Sequence, residues 1–342
     1  MPNVSGRNKK KRVVKIVKIV VDLKGADRPQ TELIDGALRA VRDNEGLFLY
    51  LCGDKDVLEE YIEKNGYRKD RIEIADCPQV IINGEDPAEA YKAKPDSSIV
   101  RGMSLCKSDP DIGGFVSCGA TGAIFVCAMM ILGRVVPVSP ILLAELKRTD
   151  DTPFCIVDCG ANVDCRAEKI VDFARMGIAY MKASGVDEPK VGLLSNGAED
   201  KKGSAVVRKA NELLRASGIN FIGNIEAGDV LEGRADVLAC DGFSGNILLK
   251  SLEGSAKAVI SELRRASGDI PQEAFDRLYK KYDYNSQGGA VLLGTKLPII
   301  KGHGAANAET VYNIINTAYR LAEHGLIEKI KGEFAAAQPL RT

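Results

Sequence analysis

The chain has 342 residues, 45% hydrophobic and 27% charged, and its 47 basic and 47 acidic side chains cancel. That length supports one large domain or two closely packed ones, and the charge balance excludes a general nucleic-acid binder, whose footprint is a basic domain. No apolar run reaches the span of a bilayer and no secretory signal is present.

Nine cysteines, with no C-x-x-C pair, argue for reduced thiols packed as small hydrophobes in a cytoplasmic protein, rather than a zinc site or a disulfide framework.

The first feature in chain order is NKKKR, Asn8 to Arg12, within a basic arm over residues 1–17. Such arms are commonly unstructured; attraction to anionic lipid is the functional alternative. Val13 to Val21 then reads as a strand and Glu32 to Arg42 as a helix, joined by a loop containing Gly25.

The same order of apolar run, glycine-rich loop and amphipathic helix returns four times. It is seen in GGFVSCGATGAIFVCAMMILG, PFCIVDCGANVDCRAEKIVDFARMGIAYM, KVGLLSNGAEDKKGSAVVRKANELLRASG and ADVLACDGFSGNILLKSLEGSAKAVISEL. Strands alternating with helices predict an α/β protein, a three-layer α/β/α sandwich with a largely parallel sheet. Ligand sites in such sheets form at the carboxyl ends of the strands, so four glycine-rich loops are expected to converge on one cleft.

Ser267 to Gly289 breaks the rhythm and predicts a protruding segment at about residues 265–288 with one short helix. Glu309 to Glu333 reads as one long helix, and with no flexible linker, residues 18–342 read as a single domain.

Each loop has a chemical reading and a plain one. SCGATGA, Ser117 to Ala123, can bring backbone N–H groups to an anion at a helix start, or can simply be a tight turn. It lacks the glycine spacing of a dinucleotide fingerprint. In VDCGANVD, Asp158, Asn162 and Asp164 can meet Mg²⁺ or stabilise the turn; with no matched ligand set, the turn role is favoured and no metal is expected.

In GLLSNGAEDKKGS, Glu199 and Asp200 are expected to open the following helix while a lysine reaches toward an anion. Asn246 in CDGFSGN can donate to an oxyanion or cap its helix. His303, between two glycines in KGHGAANAE, suits a site, whereas His324 before Gly325 suits a helix end. Two histidines make a Ser-His-Asp hydrolase a poor fit, and Cys118 shows no activating partner.

Together DCGANVD, GAEDKKGS, FIGNIEAGDVLEGRADVLACDGFSGNILLKSLEG and QGGAVLLGTKLPIIKGHGAAN, in that order and spacing, resemble the bacterial phosphate acyltransferase (PlsX) family of phospholipid synthesis. The resemblance runs from about Lys18 to the final helix. It implies a fold similar to the isocitrate and isopropylmalate dehydrogenases and the phosphotransacetylases. It further implies a homodimer with its cleft near the subunit interface, cytoplasmic or peripheral at the membrane, needing no organic cofactor.

The implied reaction reversibly converts acyl-acyl-carrier protein and inorganic phosphate into acyl-phosphate, which a membrane glycerol-3-phosphate acyltransferase consumes. By resemblance Lys202 orients phosphate or the carbonyl oxygen, and Asn246 hydrogen-bonds the reacting centre. Candidate phosphate- and substrate-binding residues are Asp22, Gly25 and Asp27 in the first loop, and Ser117, Gly119, Thr121 and Gly122 in the second. Asn162, Gly197 and Lys201 follow, then Gly242, Ser244, Gly245 and His303.

The chain departs from the family pattern at several points. VDLKGADR stands where the family reads V-D-A-M-G-G-D-H, giving Leu23, Lys24, Ala26 and Arg28, and Ala120 stands where the family has asparagine. Lys24 and Arg28 are expected to add positive charge beside the phosphate loop. The basic stretch used for carrier-protein docking is thinned to YKAKPDSS, and the membrane-contacting hairpin after LKSLEGSA is shorter. Alternatives are thioester phosphorolysis with a coenzyme A or short-chain donor, and a weakened paralogue that binds carrier protein as a scaffold.

Overall fold

In the computed structural model, residues 15–67, 69–266, 270–283 and 288–337 are described. The NKKKR arm, and residues 267–269 and 284–287 of the predicted protrusion, lie outside them. The chain begins with β1 (Val17–Asp22), α1 (Gln30–Asp43), β2 (Leu47–Gly53), α2 (Lys55–Lys64) and β3 (Ile72–Asp76). Helices α3 (Pro87–Ala93) and α4 (Ser98–Ser108) lead into β4 (Ile112–Ser117) and α5 (Thr121–Cys127).

The middle holds β5 (Ile141–Lys147), β6 (Pro153–Val157), α6 (Ala167–Ala183), β7 (Val191–Ser195), α7 (Ala205–Ala216) and β8 (Phe221–Glu226). Then come β9 (Val237–Ala239), α8 (Gly242–Ala266), α9 (Gln272–Tyr282), β10 (Ala290–Leu293), β11 (Ile299–Lys301), α10 (Ala308–Glu323) and α11 (Leu326–Ala335).

All eleven strands form one sheet in the order β3-β2-β1-β4-β11-β10-β5-β6-β9-β7-β8. Alternate residues of each strand supply different cores, because successive side chains point to opposite faces. Ile19, Val21, Val116, Ile300, Cys155 and Val157 enter one cluster with α1, α6 and α10. Their neighbours Val20, Phe115 and Ile299 pack under α4 and α5, and Ile156 and Leu238 pack under α8. Helices therefore cover both faces, giving the three-layer architecture that the alternation of strands and helices predicts.

The sheet is not parallel throughout. β10 is antiparallel to both β11 and β5, and β5 is antiparallel to β6. Three reversals in succession make the parallel blocks β3-β2-β1-β4-β11 and β6-β9-β7-β8 run in opposite senses. In a flat sheet their carboxyl ends would face apart. Right-handed twist of about 20–25° per strand, summed over the five steps from β4 to β9, turns them back by roughly 100–125°.

The tail differs from the single helix expected. Gly325, at φ 67°, ends α10 in the left-handed conformation and starts α11. His324 sits at the junction, its Nδ1 2.7 Å from the Ala183 carbonyl oxygen. Buried apolar residues continue through the break, from Ile314, Ala318 and Leu321 to Leu326 and Ile330, so periodicity alone does not mark it.

The segment around α9 is tied to the body: Phe275 is buried, Lys281 donates to the Thr149 carbonyl at 2.9 Å, and Lys280 meets Glu309 at 3.0 Å. Among the described residues no helix is long and apolar enough to cross a membrane.

Candidate active site

The first group of loops follows β1, β4 and β11, which are neighbours in the sheet. Asp22, 3% exposed at the end of β1, accepts hydrogen bonds from the Ser117 hydroxyl at 2.7 Å and the Lys24 N–H at 3.0 Å. Ser117 Oγ in turn accepts from the Gly119 N–H at 3.0 Å. This relay draws the first two loops together so closely that a Cβ on Gly25 would collide with the Gly119 backbone.

The third loop joins through Gly302, whose N–H meets the Ser117 carbonyl at 2.9 Å, and through the Asp27 N–H, which donates to Gly304 at 2.8 Å. His303 is exposed, and its Nδ1 accepts the Ala305 N–H at 3.1 Å. Thr121 and Gly122 are exposed at the start of α5, whose first turn follows the buried Ala120. Cys118 is buried beside Gly302, and burial pushes its thiol up to about 12, which removes it as a nucleophile.

The second group follows β6, β9 and β7. Asp158, fully buried at the end of β6, accepts from the N–H groups of Leu142, Gly160, Ala161 and Asn162 and from the Asn162 side-chain amide, at 2.6–3.1 Å. Its oxygens are filled by the turn, as the turn reading requires. Asn162 also donates to the Pro140 carbonyl at 2.8 Å, and its own carbonyl receives the Gly242 N–H at 2.8 Å.

Asp241 caps α8, accepting from the Ser244 N–H at 2.8 Å and hydroxyl at 2.9 Å. Gly245 lies on the Asp158 carbonyl, where a Cβ would overlap the oxygen. With Asp241 serving as the cap, Asn246 is an exposed residue of the second helical turn beside Gly160, and its amide makes no hydrogen bond among the described residues.

The loop from Gly197 to Ser204 corrects one expectation. Glu199 and Asp200 do not open α7; Ser204 does, its hydroxyl accepting the Val207 N–H at 3.3 Å. The acids fasten the loop instead: Asp200 binds Arg215, and the Glu199 carbonyl accepts Asn224 Nδ2 at 2.8 Å. A Ser hydroxyl next to the helix start satisfies an orphan amide better than acids four and five residues earlier. Lys201 and Lys202 are exposed, and neither ammonium has an ion pair or hydrogen bond among the described residues. Gly197 is buried against the Lys202 stem.

The predicted convergence of loops thus takes the form of two groups, joined by α8. That helix starts at Gly242, one turn before Asn246, in the second group. About two to three turns after Asn246, Glu253 and Lys257 line a 420 Å³ cleft with His303 and Asn307 of the first group. Lys301, at the carboxyl end of β11, has no counterpart in the sequence reading. A charged residue ending the apolar run Ile299–Ile300, just before a glycine, was the available signal.

Comparison with known proteins joins these observations. The family described as "Fatty acid synthesis protein" matches residues 17–329. A phosphate acyltransferase of Clostridium botulinum (strain Loch Maree / Type A3) is 36% identical over 323 residues, covering 92% of this chain and 96% of the relative. The chain belongs to this family of phosphate acyltransferases.

Membership makes the protein an acyltransferase. Solved structures extend the fold. A phosphotransacetylase from Streptococcus pyogenes superposes with a TM-score of 0.63 at 17% identity, covering 90% of this chain and 94% of that one. A 4-hydroxythreonine-4-phosphate dehydrogenase from Klebsiella pneumoniae gives 0.55 at 14%, covering 90% and 99%.

The basic side chains of the first loop are engaged within the fold. Lys24 turns its ammonium to Asp54 at 2.5 Å and the Cys77 carbonyl at 3.0 Å. Arg28 pairs with Glu32 at 2.6 Å. Both charges are matched locally, so they do not stand as the added free positive charge expected beside the first loop.

Proposed function

We propose that the protein transfers an acyl group from acyl-acyl-carrier protein to inorganic phosphate, reversibly, giving the acyl-phosphate used in phospholipid synthesis. Family membership supports acyl transfer to phosphate. The observation that carries the residue assignment is a contrast: acids and glycines around the loops are committed to hydrogen bonds and close contacts, while the heads of Lys202 and Asn246 are not.

In this mechanism phosphate is the nucleophile. One of its oxygens forms a C–O bond to the thioester carbonyl as the carbonyl π electrons move onto oxygen. Collapse of that tetrahedral oxyanion breaks the C–S bond and releases the pantetheine thiolate, which takes a proton from solvent. A thiol of ordinary pKa, about 8.5, leaves with little acid assistance. The protein's tasks are to hold phosphate in line and to stabilise the oxyanion, for which the Asn246 amide and the Lys202 ammonium suit. No protein nucleophile or organic cofactor is required.

The working unit in this reading is a homodimer, and a membrane glycerol-3-phosphate acyltransferase takes the product. The test follows thiol release from long-chain acyl-acyl-carrier protein and from acyl-coenzyme A, with and without phosphate, for the protein and its Lys202→Ala and Asn246→Ala variants. Phosphate-dependent release that both substitutions depress is expected. Its absence with every donor overturns the reading; release from coenzyme A alone reassigns the donor.

A further inference from the structure

We propose that Lys301, together with Lys250 of α8, is the cationic clamp on the attacking phosphate, a role that rests on the acyl-transfer reading above. The argument begins with β11. Lys301 ends that strand opposite Ser117 of β4, and the next N–H bonds the Ser117 carbonyl, so the residue stands at the rim of the loop holding Gly119. It is half-buried, and its ammonium makes no hydrogen bond or ion pair among the described residues.

An ammonium removed from water without an acceptor is costly, and such a group is satisfied by an anion that arrives. Its surroundings say what kind. Burial lowers the Lys301 pKa and the like charge of Lys250 lowers it further, while the Cys118 thiol and the Asp27 carboxylate oppose this. Asp27 does not close on the lysine: its backbone N–H is fixed to Gly304 and its carboxylate lies over that glycine. Lys250 is held at 3.0 Å by Glu253, which lines the cleft together with His303. With Asp27 held aside, Lys301 two residues before His303 on one wall of that cleft and Lys250 on the opposite helix suit a multivalent oxyanion better than a single carboxylate.

The position fits the chemistry. Asn246 and Lys250 are four residues apart on α8, hence on one face and about 5–6 Å apart at their β-carbons. A thioester carbonyl at Asn246 would then have its attacking phosphate one helical turn away, between Lys250 and Lys301. Lys202, on the neighbouring loop, is left for the carbonyl oxygen. The helix thereby couples the two loop groups: one end supplies the amide, the next turn one half of the clamp.

The experiment uses the full chain and inorganic phosphate. Lys301→Met, Lys250→Met and Lys301→Arg are compared with wild type in two readouts: the rise of melting temperature with added phosphate, and KM for phosphate in thiol release. Lys301→Met is expected to abolish most of the phosphate-dependent rise and to increase KM for phosphate about 10- to 100-fold, with KM for the thioester unchanged. Lys301→Arg recovers part of both.

Wild-type phosphate response in Lys301→Met overturns the clamp while leaving acyl transfer intact. A phosphate-dependent rise that Lys301→Met abolishes, in a protein that releases thiol from no donor, keeps the clamp as an anion site and removes the acyl-transfer reading. Should Lys301→Met fail to fold, Lys250→Met, on an exposed turn, decides by the same two measurements: an impaired phosphate response supports the clamp and an unchanged one overturns it.

Discussion

The loop after β6 and the loop after β7 follow strands separated only by β9, yet they are built on opposite principles. Asp158 gathers five donors onto one buried carboxyl group, and Gly245 and Gly242 press the start of α8 against the same turn. The loop after β7 fastens its backbone through Glu199 and Asp200 but leaves both lysine heads in solvent. One region fixes a shape; the other holds spare charge on a fixed base. A site for transfer to a polyanion needs both, because a free charge is useful only where the surrounding backbone does not move to meet it.

The sharpest way to break this comparison is to remove the uncommitted heads. Lys202→Ala or Asn246→Ala should lower turnover about 10²- to 10³-fold, near the 3–4 kcal/mol typical of a lost oxyanion donor, while shifting the urea midpoint little, since neither head makes a hydrogen bond or ion pair among the described residues. Thiol release and denaturant titration on the same preparations check both halves. A large stability loss with unchanged turnover would reverse the assignment.

Asp158→Asn addresses the opposite side and should cost about 3 kcal/mol, because an amide nitrogen would be set among the four backbone N–H donors that converge on the carboxylate. Unfolding in urea measures it. Asp22→Asn should behave alike but less severely, about 2 kcal/mol, since Asp22 accepts two hydrogen bonds among the described residues. Equal losses at the two positions would show that the first loop group depends on contacts beyond the Asp22 relay.

The smallest effect is expected at Lys24→Met, about 1 kcal/mol or less in stability with KM for phosphate unchanged, because its ammonium is matched by a partly exposed Asp54. A raised KM for phosphate would return Lys24 to the anion site.

Much of the fold is legible from sequence because its signals are local. Val17–Asp22 and Ile112–Ser117 are short β-branched or apolar runs ended by glycine-rich loops, and α1 and α6 carry clear apolar stripes. The antiparallel pair β10 and β11 was harder, since strands of four and three residues carry no usable period. The break at Gly325 escaped because both helices bury the same kind of face. The proposal of Lys202 and Asn246 as site residues came only from the family motifs around them. Lys24 was misread because charge in a sequence does not tell which carboxylate stands across the fold, and Asp54 lies thirty positions away.

By itself the sequence determined the layered α/β architecture, the family, and the glycine-rich loops at the strand ends, because glycine spacing, apolar periodicity and residue type are properties of short segments. Only the tertiary structure decided which of those polar groups remain available. Asp158, Asp241 and Lys24 are consumed by partners within the fold, whereas Lys301 keeps a charge that no described acceptor meets. Hydrogen-bond satisfaction is a property of neighbours in space, and the three reversals and twist of one sheet set those neighbours.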